Sequence, residues 1–340
     1  MSVVRLSICM PTYNFGEFIA ETLASIVPQL APGVEIVILD GGSTDNTSEA
    51  VRPFLEGSLP VRYVRQDARG GIDRDMARTV ELAHGEYCWL FSSDDIMKPG
   101  AIARVLGEIE SGFDIYVCGL TLCDRDMNVL EEHRVSRASW GATFDLRDAA
   151  DRQRYFGLAV TTTALFSFMG SIILRRRRWM EHGLDEGYIG SCWAHVVRIL
   201  RMIPSGLKLK YLGESLLMKR GGNDSFMDKG LVHRYSIAID GYHRIAQDVF
   251  GEDALESRHM RRVIVNEFTP KVFFFAKVQC LRNRLPLAIS DVAELDRLAA
   301  KAYRDPGLRN FVYSIIYRML PVWVYERART MYKRLRRMAA

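Results

Sequence analysis

Over its first hundred residues the chain alternates short apolar runs with segments of helical periodicity. That alternation constrains the fold more than any other feature. Leu6-Ser7-Ile8-Cys9-Met10 reads as a buried strand ended by Pro11, and apolar residues at helical spacing predict a helix over 18–30. Glu35-Ile36-Val37-Ile38-Leu39 is a second strand, followed by a helix over 44–55 with Ser43 or Thr44 as its N-cap. Residues 61–64, 73–83 and 87–91 continue as strand, helix and strand. Strands separated by helices require a parallel sheet covered on both faces, and such sheets bind ligands beyond the carboxyl ends of their strands. Three polar clusters fall at such ends: Pro11-Thr12-Tyr13-Asn14, Asp40-Gly41-Gly42-Ser43 and Ser92-Ser93-Asp94-Asp95.

After residue 100 the pattern loosens. A helix is predicted over 101–110, a strand pair over 114–123 and 129–135 around Asp126-Met127-Asn128, and further strands over 170–174 and 209–218. From Phe226 onward nearly everything reads as helix, which divides the chain into 1–225 and 226–340. With 48% hydrophobic and 26% charged residues, the composition excludes a collagenous, low-complexity or largely disordered chain. No run approaches the roughly 18 apolar residues of a membrane span. The net charge of +5 suits an anionic partner without choosing one. Val3 to Met10 enters a strand with no signal-peptide pattern, and the six cysteines show no Cys-x-x-Cys or zinc spacing. A cytoplasmic location is the expectation.

The acidic pair Asp94-Asp95 leaves an apolar strand, and oxygen ligands in such a place suit Mg²⁺ or Mn²⁺. A cation there neutralises a diphosphate leaving group; alternatively the pair caps a helix starting near Lys98-Pro99. Asp40, with two glycines and Ser43-Thr44-Asp45 behind it, either accepts from a base N–H or forms a left-handed turn and N-cap. Tyr13 and Asn14 either hold a nucleobase or make a plain turn.

In this order and spacing, the three polar turns resemble those of the family 2 glycosyltransferases of the GT-A fold. That family carries a Pro-Thr-Tyr-Asn turn, an Asp-Asp-Gly-Ser-Thr-Asp turn and an Asp-x-Asp metal motif. Gly70-Gly71-Ile72-Asp73-Arg74-Asp75, residues 85–91, residues 188–195 and residues 220–226 are similar to its abequosyltransferase-like branch. The resemblance implies a Rossmann-like α/β fold, a mostly parallel central sheet with helices on both faces, followed by a helical C-terminal region. A nucleotide-sugar half would span about 1–100 and an acceptor half about 101–225. It implies a metal-assisted hexosyltransferase moving a hexose or deoxyhexose from a nucleoside-diphosphate sugar to a saccharide acceptor, polyprenyl-linked, of bacterial O-antigen type.

The resemblance also distributes roles. Pro11, Thr12, Tyr13, Asn14, Asp40, Gly42, Ser92 and Ser93 would form the nucleotide pocket, with Asp73 and Arg74 beside the donor's sugar and phosphates. Asp94, with Asp95, would hold the divalent cation, and Arg220, Asn223 and Ser225 would meet the diphosphate. Two departures stand out. Ser92 replaces the first acid of Asp-x-Asp, and the family's Glu-Asp catalytic pair falls near Ser191-Cys192, where neither residue is acidic. Asp185, Glu186 and His195 are the nearby candidates for a general base in an inverting transfer, with His195 reading equally as a buried structural histidine; a retaining transfer needs none.

Two basic segments remain. Arg175-Arg176-Arg177-Arg178 either binds phosphates of a lipid-linked acceptor or is a solvated turn. Toward the C-terminus Phe311, Ile315, Trp323 and Tyr325 interleave with Arg309, Arg318, Arg327 and the basic residues to Arg337, against Glu326 alone. That pattern describes a helix lying on an anionic membrane at its cytoplasmic face, or one packed on the body of the enzyme. The rival readings are transfer to a polyprenyl phosphate itself and a catalytically silent assembly subunit. Nucleic acid is not an expected partner, because the strand ends are acidic.

Overall fold

The runs at Leu6–Thr12, Val34–Asp40 and Tyr87–Leu90 become strands buried on both faces, which is what a parallel sheet between helices demands, while Val61–Arg65 at the edge is half-buried. The computed structural model describes residues 3–224, 229–282 and 287–327. The chain divides into two compact units, Met1–Asp224 and Ser225–Ala340.

The first unit is built on one sheet of β1 (Leu6–Thr12), β2 (Val34–Asp40), β3 (Val61–Arg65), β4 (Tyr87–Leu90), β5 (Ile96–Met97), β6 (Ile115–Cys123), β7 (Val129–His133), β8 (Thr143–Asp145), β9 (Ile172–Arg175) and β10 (Lys208–Lys219). Its order is β3-β2-β1-β4-β9-β6-β10-β5, with β7 beside β6 and β8 beside β10. The strands β3, β2, β1 and β4 are parallel to one another, and β10 is parallel to β6. Only β9 among the central strands runs the other way, between β4 and β6. The helices of this unit are α1 (Ile19–Ile26), α2 (Thr47–Val51), α3 (Ile72–Leu82), α4 (Ala101–Ile109), α5 (Ala149–Leu158), α6 (Arg176–Met180) and α7 (Ala194–Leu200). On one face Leu6, Ile8 and Met10 of β1 and Trp89 of β4 pack with Leu23 of α1 and Val105 of α4, all fully buried or nearly so.

Several boundaries differ from those expected, each for a local reason. Pro11 does not end β1, which runs on through Pro11↔Leu39 and Thr12↔Asp40. The ladder to β4 stops at Leu90, so the missing N–H of Pro11 has no strand to bond. Pro28 and Pro53 convert the ends of the next two helices into 3-10 turns at Val27–Gln29 and Arg52–Phe54. Neither Ser43 nor Thr44 caps α2, whose N-cap position is Asn46. Asp94 and Asp95 cap nothing: they lead into β5, and α4 begins after Gly100 in a left-handed conformation.

The second unit is helical, with α8 (Leu231–Phe250), α9 (Leu255–Glu267), α10 (Pro270–Arg282), α11 (Leu287–Ala302) and α12 (Leu308–Met319). An aromatic cluster of Tyr235, Phe268, Phe273, Tyr303 and Tyr317 holds it together. Among the described residues no helix is long and apolar enough to cross a membrane.

Candidate active site

The carboxyl ends of β1 and β2 are zipped into a single polar rim. Asn14, at φ +57°, donates its backbone N–H to Ser43 Oγ at 2.9 Å and accepts from the Thr44 N–H at 2.8 Å. The Gly41 N–H bonds the Thr12 carbonyl at 2.9 Å. Asp40 is wholly buried; one oxygen accepts from the Ser43 N–H at 2.7 Å, the other from the Tyr63 hydroxyl, with Arg65 Nε at 3.9 Å. Burial, and then Asp40 itself, push the Tyr63 phenol well above its usual range. Gly42 sits at φ +82°, where a side chain would be strained. Tyr13 lies under the Arg69 guanidinium at 4.2 Å from its ring centre.

Asp75 is a member of this rim that sequence reasoning passed over. It is buried on α3, takes a 2.7 Å bond from the Gln66 amide, and would come within 2.9 Å of a Cβ placed on Gly41. Burial raises its carboxyl pKa despite Gln66 and Arg69. The available signal was two acids, Asp73 and Asp75, spaced so that an α3 side chain reaches each of two different loops.

The acid pair follows β4. Asp94 Oδ1 accepts from the Ser92 hydroxyl and Oδ2 from Asn223 Nδ2 at 2.5 Å, while Ser93 is buried beside them. Asp95 Oδ1 accepts from the Arg220 N–H at 2.9 Å, and its Oδ2 is buried with no hydrogen-bond partner. Burial raises both carboxyls, and Asp94 pushes Asp95 further. Two adjacent buried acids, one with an orphaned oxygen, form a site short of positive charge. One or two carboxylates plus substrate phosphates is a common way to bind Mg²⁺, so these residues fit a divalent cation. Among the described residues no cluster of three or more His, Cys, Asp or Glu side chains could hold a metal alone.

Arg220, expected on a diphosphate, is instead built into this strand end. Its Nε bonds the Asp94 carbonyl at 2.9 Å, Nη1 the Arg125 carbonyl at 2.6 Å and Nη2 Glu21 at 2.5 Å, with Phe18 beneath the guanidinium. Every arm of its fork has a protein partner, so it acts as a brace. Ser225 lies outside the described residues.

Asp73, expected beside the donor's sugar, also turns inward. Its carboxylate is buried and accepts three backbone N–H groups: Gly190 at 2.8 Å, Cys192 at 3.1 Å and Ala194 at 3.1 Å. It thus moulds the loop that leads into α7, with Gly190 and Cys192 both at positive φ. Arg74 pairs with Glu186 at 3.2 Å in solvent. Asp185 takes the Gly187 N–H and pairs with Arg201 at 2.5 Å. His195 is buried, its Nε2 2.9 Å from the Phe166 carbonyl, and burial lowers its pKa. An imidazole so enclosed holds a loop and cannot meet an acceptor hydroxyl. Arg175–Arg178 gather at the amino-terminal end of β4, opposite the acid pair. Arg175 bonds the Tyr87 hydroxyl, Arg176 the Val80 and Glu81 carbonyls, and Arg178 Ser205.

The glycosyl transferase family 2 model matches residues 7–183. The abequosyltransferase RfbV of Salmonella typhimurium is 31% identical over 92% of this chain and 99% of its own length. Glycosyltransferase GlyG of Streptococcus pneumoniae is 28% identical over 40% of this chain and 51% of its own. Among solved structures, S. aureus TarS 1-349 in complex with UDP-GlcNAc superposes with a TM-score of 0.58 at 16% identity, over 88% of this chain and 82% of that one. The mannosyltransferase PcManGT of Pyrobaculum calidifontis, in complex with GDP-Man and Mn²⁺, gives 0.52 at 14% identity, over 97% and 87%. Those two likenesses are of fold.

Proposed function

The chain belongs to glycosyl transferase family 2, and on that premise we propose that it moves a hexose or deoxyhexose from a nucleoside-diphosphate sugar to a hydroxyl of a lipid-linked bacterial surface-polysaccharide acceptor. The observation that carries this reading is the buried pair Asp94 and Asp95, set at the end of β4 beside the Asp40 rim. The full-length likeness to an abequosyltransferase supports an O-antigen acceptor and a deoxyhexose donor.

Tyr13 and Asp40 lie where a nucleotide would cross the ends of β1 and β2. Asp94 and Asp95 would hold a divalent cation, which when bound offsets the charge of the departing diphosphate. Arg220 keeps the two acids together at the strand end, so that this field is in place before the donor arrives. Of the three candidate bases, Glu186 keeps its carboxylate in solvent, 77% exposed, with Arg74 steadying it. We assign it the proton of an acceptor hydroxyl in an inverting transfer. The basic run at Arg175–Arg178 is committed to the opposite end of β4, which leaves transfer to a polyprenyl phosphate without its phosphate pocket.

Thermal stabilisation by UDP, GDP, CDP and dTDP, each with and without Mn²⁺, tests the donor site. One nucleotide at about a hundred times its dissociation constant should add ~2.7 kcal/mol, only with metal, and Asp94→Ala should abolish the effect. If none stabilises at millimolar concentration, the transferase reading fails and a silent subunit replaces it.

Membrane contact has its own support. On α12, Leu308, Phe311, Val312, Ile315 and Met319 are exposed along one helical stripe, and Trp323 is exposed just beyond it, with Arg309, Arg318 and Arg327 close in sequence. From Leu308 to the end, eight cations face Glu326 alone, more than the chain's whole net charge of +5. Flotation with phosphatidylglycerol-containing vesicles, but not with pure phosphatidylcholine, is the expected result. Phe311→Glu with Ile315→Glu should abolish it; unchanged flotation would remove the membrane from the proposal.

A further inference from the structure

A hollow of about 500 Å³ lies on β6 and β10, lined among others by Lys98, Glu132, His133, Trp140 and Glu214. Two glycines make it. Between Tyr211 and Ser215 the register of β10 on β6 shifts, and Gly213 takes φ +76° in the irregular stretch. A Cβ on Gly119 would sit 2.8 Å from the Gly213 carbonyl oxygen, and one on Gly213 would collide with the Trp140 indole. No side chain can fill the floor, which is therefore bare backbone.

Trp140 is the wall. Its loop is clamped to β10 on both sides, the Gly141 N–H on the Tyr211 carbonyl and the Tyr211 N–H on the Ala142 carbonyl, each at 2.8 Å. One edge of the indole rests against Gly213, yet the residue is 74% exposed. A large aromatic ring fixed in place and left in water is a surface awaiting a ligand. Opposite it are carboxylates already oriented: Glu132 by the Thr121 hydroxyl at 2.8 Å and Lys98 at 3.3 Å, Glu214 by Arg104 at 2.9 Å. The hollow is contiguous with the acid pair's segment, since Lys98 follows β5 directly and its N–H bonds the Leu216 carbonyl at 3.0 Å.

An aromatic plate facing oriented hydrogen-bond acceptors suits a neutral ring with one C–H face and a rim of hydroxyls. Lys98 and Arg104 are already engaged by Glu132 and Glu214, which leaves those two cations little to offer a nucleotide or phosphate. We propose that the Trp140 hollow binds a pyranose unit of the acceptor glycan, stacked on the indole, at a distance from the hydroxyl that receives the new sugar. The assignment deepens the transferase reading and rests on it.

The test uses methyl pyranosides of gluco, galacto, manno and rhamno configuration as probes, followed by saturation-transfer NMR and tryptophan fluorescence on the full chain. At least one should bind wild type in the millimolar range, with saturation strongest on its C–H face. Trp140→Ala should weaken it at least tenfold and Trp140→Phe less. Because the ring is so exposed, Trp140→Ala should melt with wild type and keep its response to nucleotide and Mn²⁺. That response separates failure of this site from failure of the donor site. Undiminished binding in Trp140→Ala, no binding of any pyranoside to wild type, or a dimer lost with Trp140 would each overturn the proposal.

Discussion

Asp94→Ala is expected to lower sugar transfer by about 10²–10³-fold while leaving the melting temperature at neutral pH unchanged or higher. The loss follows from removing charge placed where the leaving diphosphate develops its own, an effect of that size for one preorganised group. The retained stability follows from the sign of the pKa shift. Burial lifts the Asp94 and Asp95 carboxyls above their unfolded value, with Asp95 lifted further by its neighbour. The folded state therefore binds their protons more tightly than the unfolded state. Stability falls as pH rises from the ordinary carboxylate value, ~3.9, towards the raised one, and stays lowered above it. Asp95→Asn isolates this term, because its amide oxygen still accepts the Arg220 N–H. Its melting temperature should exceed wild type by ~2–4 °C at pH 7.5, about 1 kcal/mol in a domain of this size, and match it below pH 4. Transfer by Asp94→Ala within tenfold of wild type, measured as nucleoside diphosphate released, would sink the assignment of the acid pair.

Arg220→Ala should be the most destabilising single change at the site. It strips the Asp94 and Arg125 carbonyls of their donors and removes a buried cation from beside the acid pair, while the backbone N–H that Asp95 accepts is kept. Breaking such a buried set by deleting one partner costs about 3–5 kcal/mol. Glu21, the third partner of the guanidinium, is 57% exposed, which argues for the lower end of that range. About 3 kcal/mol is a fall of ~6–12 °C in Tm. Arg220→Lys should recover little, because an ammonium cannot span three divergent acceptors. A fall below ~2 °C in Arg220→Ala would show that the brace is not structural.

The strands and the polar rim were legible because each is a local pattern: an apolar run, then a turn rich in Asp, Gly and Ser. Residues whose meaning depends on distant partners were not. Arg220 reads as a phosphate ligand until the carbonyls of Asp94 and Arg125 and the carboxylate of Glu21, all far earlier in the chain, are seen to occupy its guanidinium. Asp73 reads as a donor contact until three N–H groups of residues 190–194 close on it. His195 reads equally as a base and as a buried structural histidine until the fold encloses it, and an exposed tryptophan in a loop, Trp140, belongs to no periodicity. Proline explains the shortened helices, a signal present in the sequence at Pro28 and Pro53.

The loop moulded on Asp73 has a practical consequence for anyone who wishes to watch this protein work. Of the six cysteines, five are buried, and Cys192, in that loop, is the one that is partly exposed. Thiol chemistry requires access and thiolate character, and burial suppresses both at Cys9 and Cys118. A fluorophore or spin label offered to the native chain would therefore be steered to one position. The molecule carries its own attachment point for a reporter, on a segment whose shape depends on a single carboxylate.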